Sequence, residues 1–216
     1  MLKVIACLGG VVIIWMTAEW LWRQKLLKGE YLRKFGHISN STFIATWPWL
    51  ISFRSITWLG VALVFGAFVN RAAHYTHLLG GVDRKSYGDI TFGLAVIICS
   101  LLTHQKIFFA IAMLHLGWAD GLAALVGVHF GKRWGYKVWG QLKTVVGSMI
   151  FWVVSMDILV GALLLGANGV ISYGHYAWLL LLLPPVLTVV ESMGMRGFDN
   201  LFVPVAVVVA LRIAQG

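Results

Sequence analysis

Ile107 to Val128 reads IFFAIAMLHLGWADGLAALVGV. The run is apolar enough and long enough to cross a bilayer, which takes about 20 residues. Inside it stands one carboxylate, Asp120, followed at once by Gly121. A carboxylate in lipid-exposed hydrocarbon costs roughly 2.5–3.5 kcal/mol on insertion scales. Asp120 is therefore expected near a membrane surface, with partners, in a role that offsets that cost.

Working outward, similar apolar runs recur along nearly the whole chain. Of 216 residues, 60% are apolar and 12% charged, too hydrophobic a balance for an ordinary soluble domain. The expected fold is all-α: a polytopic transmembrane helical bundle of seven or eight spans, forming a single integral membrane domain over residues 1–216. The expected helices are 2–22, 37–53, 55–72, 88–104, 106–128, 145–166, 174–192 and 199–214, the second and last being short. The first run has one positive charge before it and five after it, the reverse of a signal peptide, so it is expected to stay as a helix. Loops are short, so any active site must be built from loops and helix ends. Cys7 and Cys99 lie in apolar runs without a CxxC pair, which signals neither disulfides nor zinc.

The formal charge of +9 would suggest nucleic acid in a soluble protein. Here topology explains it, and no nucleic-acid partner is expected. With eight spans, one face collects the loops 23–36, 73–87, 129–144 and 193–198. Together with Arg71, that face holds thirteen of the seventeen Lys and Arg. The positive-inside rule places these loops in the cytoplasm and both termini outside. Glu30, Asp83, Asp89, Glu191 and Asp199 fall on the same face, with Glu19 and Asp120 close by; only Asp157 is mid-span. A transporter places its polar groups near the midplane. This pattern instead suggests a site at the cytoplasmic membrane surface, open to a soluble anion on one side and to lipid on the other.

Five stretches carry candidate chemistry. In YLRKFGH (31–37), Arg33 and Lys34 stand at the mouth of the second helix, with His37 one turn on. Such cations bind phosphate oxygens, although flanking charge alone also explains them. In DRKSYGD (83–89), Arg84, Ser86 and Asp89 are candidate substrate contacts; equally, Ser86 and Asp89 form a capping box. In ADGLAALVG (119–127), Asp120 and Gly127 are expected on one helix face, and Gly121 and Gly127 allow close approach of backbone or ligand. Asp120 has the chemistry to hold Mg²⁺ on a nucleotide, or to form an ion pair within the bundle. FGKRWGYKVWGQLKTVVGS (130–148) reads as a flexible basic loop. Its Lys132, Lys143, Thr144 and Gly147 suit a triphosphate at a helix start. It is not a P-loop, because the glycine spacing is wrong and an Arg stands where Ser or Thr is needed. ESMGMRGFDN (191–200) adds Glu191, Asp199 and Asn200, which with Asp120 form a candidate metal and general-base cluster.

In order, these stretches resemble the CTP-dependent lipid-alcohol kinases (dolichol kinase, phytol kinase and the fungal-type diacylglycerol kinase), which are related to the phosphatidate cytidylyltransferases. RKFGH is similar to the family's Arg-Lys-x-x-His. RKSYGDITFGLAV resembles its Arg-x-Ser-Tyr-Gly-Glu segment, and ADGLAALVGVHFGK its Gly-Asp-x-x-Ala-x-x-x-Gly-x-x-Phe-Gly run. KTVVGS resembles Lys-Thr-x-Glu-Gly-Ser, and ESMGMRGFDNLFVPV its Glu…Gly-x-Asp-Asn-x-x-x-Pro ending. The resemblance runs from about Arg33 to Pro204. It implies activity-critical roles for Arg33, Lys34, Asp120 and Gly127, and nucleotide or metal contacts from Lys143, Thr144, Glu191, Asp199 and Asn200. Three positions depart: Ala119 for glycine, Asp89 for glutamate, and Val146 for glutamate, which removes one acid.

The reaction implied is transfer of the γ-phosphoryl group of CTP, with Mg²⁺, to the hydroxyl of a membrane lipid alcohol: a polyprenol, a phytol-like alcohol or diacylglycerol. Asp120, Arg33, Lys34, Lys143 and His37 are the expected catalytic residues. Gly121, Gly127, Lys132, Lys143, Thr144, Gly147 and Asn200 are expected at the nucleotide, and Asp120, Glu191 and Asp199 at the metal. The alternatives are a cytidylyltransferase, whose Asp-Arg-x-Asp ending is absent here, a non-catalytic relative, and a small transporter. The sequence leaves the oligomeric state open.

Overall fold

The computed structural model describes residues 1–73, 86–130, 134–165 and 169–216. Among them, helices α1 (Leu2–Arg23), α2 (Gly29–Ala45), α3 (Trp47–Leu50), α4 (Phe53–Ala73), α5 (Gly88–Leu102), α6 (Lys106–Leu114), α7 (Asp120–Phe130), α8 (Val145–Leu164), α9 (Tyr173–Met193) and α10 (Asp199–Gln215) form a nearly all-α bundle. Five helices are long and apolar enough to cross a membrane: Leu2–Arg23, Phe53–Ala72, Lys106–Phe130, Val145–Leu164 and Tyr173–Met193. The remaining helices are shorter than that criterion, so length and composition support five spans and do not reach the seven or eight expected.

The second helix differs from expectation. It starts at Gly29 rather than at 37 and stops at Ala45, with the four-residue α3 beyond it. Pro48 has no N–H to donate to Ile44 O, so the helical ladder cannot run on through it; Pro48 sits instead in the first turn of α3. The early start follows from Glu30 in the first turn, favourable at a helix N-terminus; a search for apolar runs passes over so polar a turn. Arg33 and Lys34 thus lie within the helix instead of at its mouth.

The basic loop also differs. Gly135–Val138 and Gln141–Thr144 pair as an antiparallel hairpin, β1 and β2. The turn between them, Trp139–Gly140, has φ of 49° and 76°, the two positive values that a two-residue type I′ turn demands. Thr144 then caps α8, its hydroxyl accepting from the Gly147 N–H at 3.1 Å.

The run that opened the sequence reading is the centre of the bundle. Its apolar window is 67% buried, against 17–33% for the other four long helices. It packs against α2, α8 and α10. It is not a uniform α-helix: His115–Ala119 form a π-helical turn immediately before Asp120, a distortion often found at functional sites. Gly117 in that turn lies against α2 so closely that a Cβ there would strike the Ser41 hydroxyl and sit 2.8 Å from Ser41 Cβ. Gly117→Ala is expected to destabilise the fold by about 1–3 kcal/mol, as overpacking does. A thermal or denaturant unfolding curve of the purified protein checks this; an unchanged midpoint refutes it.

The turn between α9 and α10 docks on the start of α5. Gly197, at φ 93°, packs on Gly88, where a Cβ would come within 2.5 Å of the Gly88 N. The Tyr87 N–H donates to Arg196 O at 2.7 Å, Thr91 Oγ1 to Gly197 O at 2.5 Å, and Asn200 Nδ2 to Gly88 O at 2.8 Å. These bonds fix Asp199 and Asn200 against the rest of the bundle.

Candidate active site

Carboxylates distant in sequence meet inside this frame. Asp120 at the start of α7, Glu191 near the end of α9 and Asp199 at the start of α10 each offer an oxygen, and the three atoms lie within 4.8 Å of one another. Asp120 and Glu191 are buried. Unpaired buried carboxylates would be strongly destabilising, and two lysines answer that. Lys34 Nζ donates to Asp120 Oδ2 at 2.5 Å, and Lys34 is only 2% exposed. Lys143 Nζ is ion-paired with Glu191 Oε1 and also donates to Glu191 O at 3.2 Å. With three carboxylates and two ammonium groups, the cluster is one positive charge short of neutrality.

His37 sits at its edge. Its Nε2 is 2.8 Å from Leu116 O and 3.3 Å from Asp120 Oδ2, and its ring meets Phe92 edge-on. Both contacts to the Asp120 carboxylate fall on Oδ2, leaving Oδ1 without a hydrogen bond among the described residues.

Lys143 lies in β2, outside the long apolar helices. Burial opposes its charge, but the carboxylates of Glu191 and Asp199 outweigh burial and raise its pKa above the ordinary 10.5. Such a group adds stability in full below 10.5, and the contribution is lost as pH rises through the raised value. The difference in melting temperature between the native protein and Lys143→Gln is therefore expected to stay constant between pH 7 and 10 and to shrink only at higher pH. A difference that fades below pH 10 would refute the pairing.

The other expected residues are placed as follows. Arg33 makes a two-pronged pair with Glu30, at 3.0 and 2.5 Å. Asp89 is paired with Arg71 of α4, which also donates to Ser86 O. The expected capping box is therefore not formed: α5 starts at Gly88, whose N–H donates to Ser86 Oγ at 3.2 Å, and Asp89 is drawn to Arg71. Gly121, Gly127 and Gly147 serve close helix packing. A Cβ at Gly121 would lie 2.5 Å from Ile38 Cγ1, and one at Gly127 or Gly147 within 2.9 Å of Thr144 Oγ1. Asp120 and Gly127 stand seven residues apart on the one helix α7; Asp120 meets Lys34 of α2, and Gly127 packs against Thr144 and Gly147 at the start of α8. Asn200 is engaged by Gly88 O. Arg84 and Lys132 lie outside the described residues. Asp157 is exposed on α8, rather than paired within the bundle among the described residues.

Beside the cluster runs a cleft walled by Trp15 of α1, Arg33, Gly36, His37 and Asn40 of α2, Leu63 and Ala67 of α4, Gly88, Asp89 and Phe92 of α5, and by Ser86 and Asn200. Sequence reasoning missed Trp15, Asn40, Leu63, Ala67, Arg71 and Phe92 as site residues. Nothing in their local sequence marks them, since each gains its place from packing between helices remote in the chain.

The donor set suits a hard divalent cation. All three acids offer carboxylate oxygens, the type Mg²⁺ takes, and these lie within 4.8 Å of one another.

A phytol kinase from Synechocystis sp. (strain ATCC 27184 / PCC 6803 / Kazusa) is 32% identical over 212 residues, which cover 91% of this chain and 83% of that protein. No family model and no solved structure matches. A helical membrane bundle with a buried carboxylate–lysine centre, and a relative of this kind, define a phosphotransferase with an alcohol as acceptor. The chain belongs to the family of membrane lipid-alcohol kinases in which phytol kinase stands.

Proposed function

We propose that the protein transfers the γ-phosphoryl group of CTP to the hydroxyl of a membrane lipid alcohol, phytol-like alcohols being the first to test, at a cytoplasm-facing site. The observation that carries this reading is the convergence of Asp120, Glu191 and Asp199 with Lys34 and Lys143 beside them. Phosphoryl transfer needs little covalent chemistry from the protein and depends on positioning and charge neutralisation; this cluster supplies both. Mg²⁺, held by the three carboxylates, would neutralise charge on the phosphate oxygens. Lys143 and the basic hairpin attract the triphosphate, and the start of α8 adds backbone N–H groups. Lys34 holds Asp120 in place, and Arg33, lining the cleft, is the cation nearest the acceptor. His37 Nε2 donates to Leu116 O at 2.8 Å beside Asp120 Oδ2, which leaves Nδ1 as the nitrogen that takes the hydroxyl proton. The excess of Lys and Arg on the loops of one face supports the cytoplasmic orientation. Val146 in the first turn of α8 removes none of the three acids that meet, so a catalytic protein is favoured over a degenerate one.

The test uses CTP labelled separately at the α and γ phosphates, with purified protein, Mg²⁺ and phytol in mixed micelles. Label is expected in the organic phase from γ-CTP alone. Label from α-CTP alone would mean cytidylyl transfer and overturn the proposal. Label from γ-ATP but not γ-CTP would overturn the choice of donor.

A further inference from the structure

The cleft beside the carboxylates has two chemistries along its length. One end is polar, with Arg33, His37, Ser86 and Asp89; the other is apolar, with Trp15, Leu63, Ala67 and Phe92. On α4, Leu63 lies eight residues before Arg71, or roughly 12 Å at 1.5 Å per residue. That depth is close to one leaflet of hydrocarbon, about 15 Å. The apolar end is thus placed for a chain still in the bilayer, and the polar end for a head group.

The cleft opens sideways. Helix α1 packs chiefly along α2 and buries only Cys7, Val11 and Ala18, leaving most of its apolar side chains exposed. Trp15, partly buried, reaches across to α4: its Cη2 is 3.7 Å from the place a Cβ would take on Gly66. It forms the wall between cleft and lipid. The inner end is continuous with the carboxylate centre, because His37 both lines the cleft and approaches Asp120 Oδ2 at 3.3 Å.

Resting on the kinase reading above, we propose that this cleft is the acceptor site. It admits the hydrocarbon chain of a membrane alcohol past Trp15 and presents its hydroxyl to His37, and Ala67 sets the width available to the chain. At the deep end, Leu63, Ala67 and Phe92 offer no hydrogen-bonding group, which suits a hydrocarbon chain. At the polar end, Arg33 keeps Nη1 and Asn200 a second amide N–H beyond their bonds to Glu30 and to Gly88 O, donors for the oxygen of a head group.

Two measurements on the full-length protein in lipid nanodiscs test this. A long-chain primary alcohol carrying a diazirine near its hydroxyl is photolysed, and the labelled peptides are mapped with and without excess phytol. Phytol-sensitive label is expected on the α1, α4 and α5 segments around Trp15, Ala67 and Phe92, and lost in Ala67→Trp. Label confined to α8 and α9, or insensitive to phytol, overturns the cleft. In kinetics, Ala67→Trp is expected to raise the KM for phytol about tenfold or more, the effect of crowding an apolar pocket, with the KM for nucleotide unchanged. Trp15→Ala, which opens the wall between α1 and α4, is expected to shift the KM for phytol, again with the KM for nucleotide unchanged. An unchanged acceptor KM in both variants overturns the assignment. Label in the cleft without phosphoryl transfer would remove the kinase proposal and leave the lipid site standing; transfer with label elsewhere would do the reverse.

Discussion

Asp120→Asn is expected to lower phosphoryl transfer by about 10³-fold, the scale of losing a charge that stabilises the transition state. The substitution keeps the shape of the side chain and removes its charge. It also leaves Lys34, 2% exposed, without its counter-ion. Breaking a buried pair from one side costs about 3–5 kcal/mol. The Asp120 carbonyl, 3.4 Å from Lys34 Nζ, and the new amide oxygen still accept hydrogen bonds, so the lower end of that range is expected. Stability and activity can be separated. Adding Lys34→Met removes the orphaned charge and is expected to restore most of the melting temperature, but none of the activity. If the double variant regains turnover, Asp120 serves the fold and not the reaction.

Glu191→Gln is expected to act on the metal requirement. Glu191 is one of three carboxylates whose oxygens converge, and Lys143 bonds both to its carboxylate and to its backbone oxygen. The amide variant keeps the second of those bonds, so the bundle is expected to fold. If the three carboxylates hold the cation as proposed, removing one is expected to raise the Mg²⁺ concentration for half-maximal activity by about 10–100-fold or more, the scale of weaker perturbations around metal sites. Titrating Mg²⁺ at saturating nucleotide and acceptor measures this. A lower maximal rate with an unshifted Mg²⁺ dependence would exclude Glu191 as a ligand and leave it a structural partner of Lys143.

Much of this protein was legible without its structure. The apolar runs define a helical membrane bundle, because backbone polar groups in hydrocarbon must be satisfied within each helix. Charged residues that are costly in that setting stand out one by one, and so Asp120, Glu191, Asp199, Lys34 and Lys143 were all picked out as functional candidates. Element boundaries were less legible where polar residues continue a helix, as at Gly29–Gly36, or where a turn rests on two positive φ angles, as at Trp139–Gly140.

Pairing was not legible at all. That Lys34 meets Asp120, that Lys143 meets Glu191, and that Asp89 turns to Arg71 instead of capping its own helix depends on which helices pack together. Residues 86 and 48 positions apart have no local relation that a pattern along the chain can express. The cleft shows the same limit. Trp15, Ala67 and Phe92 are ordinary apolar members of three helices, and they form one wall only because α1, α4 and α5 are brought around α2. The sequence by itself determined the membrane class, the helical fold and the chemical inventory, since each follows from the cost of placing a given side chain in hydrocarbon. Tertiary structure decided which charges neutralise one another and where a lipid reaches them, since both depend on close packing between segments remote in the chain.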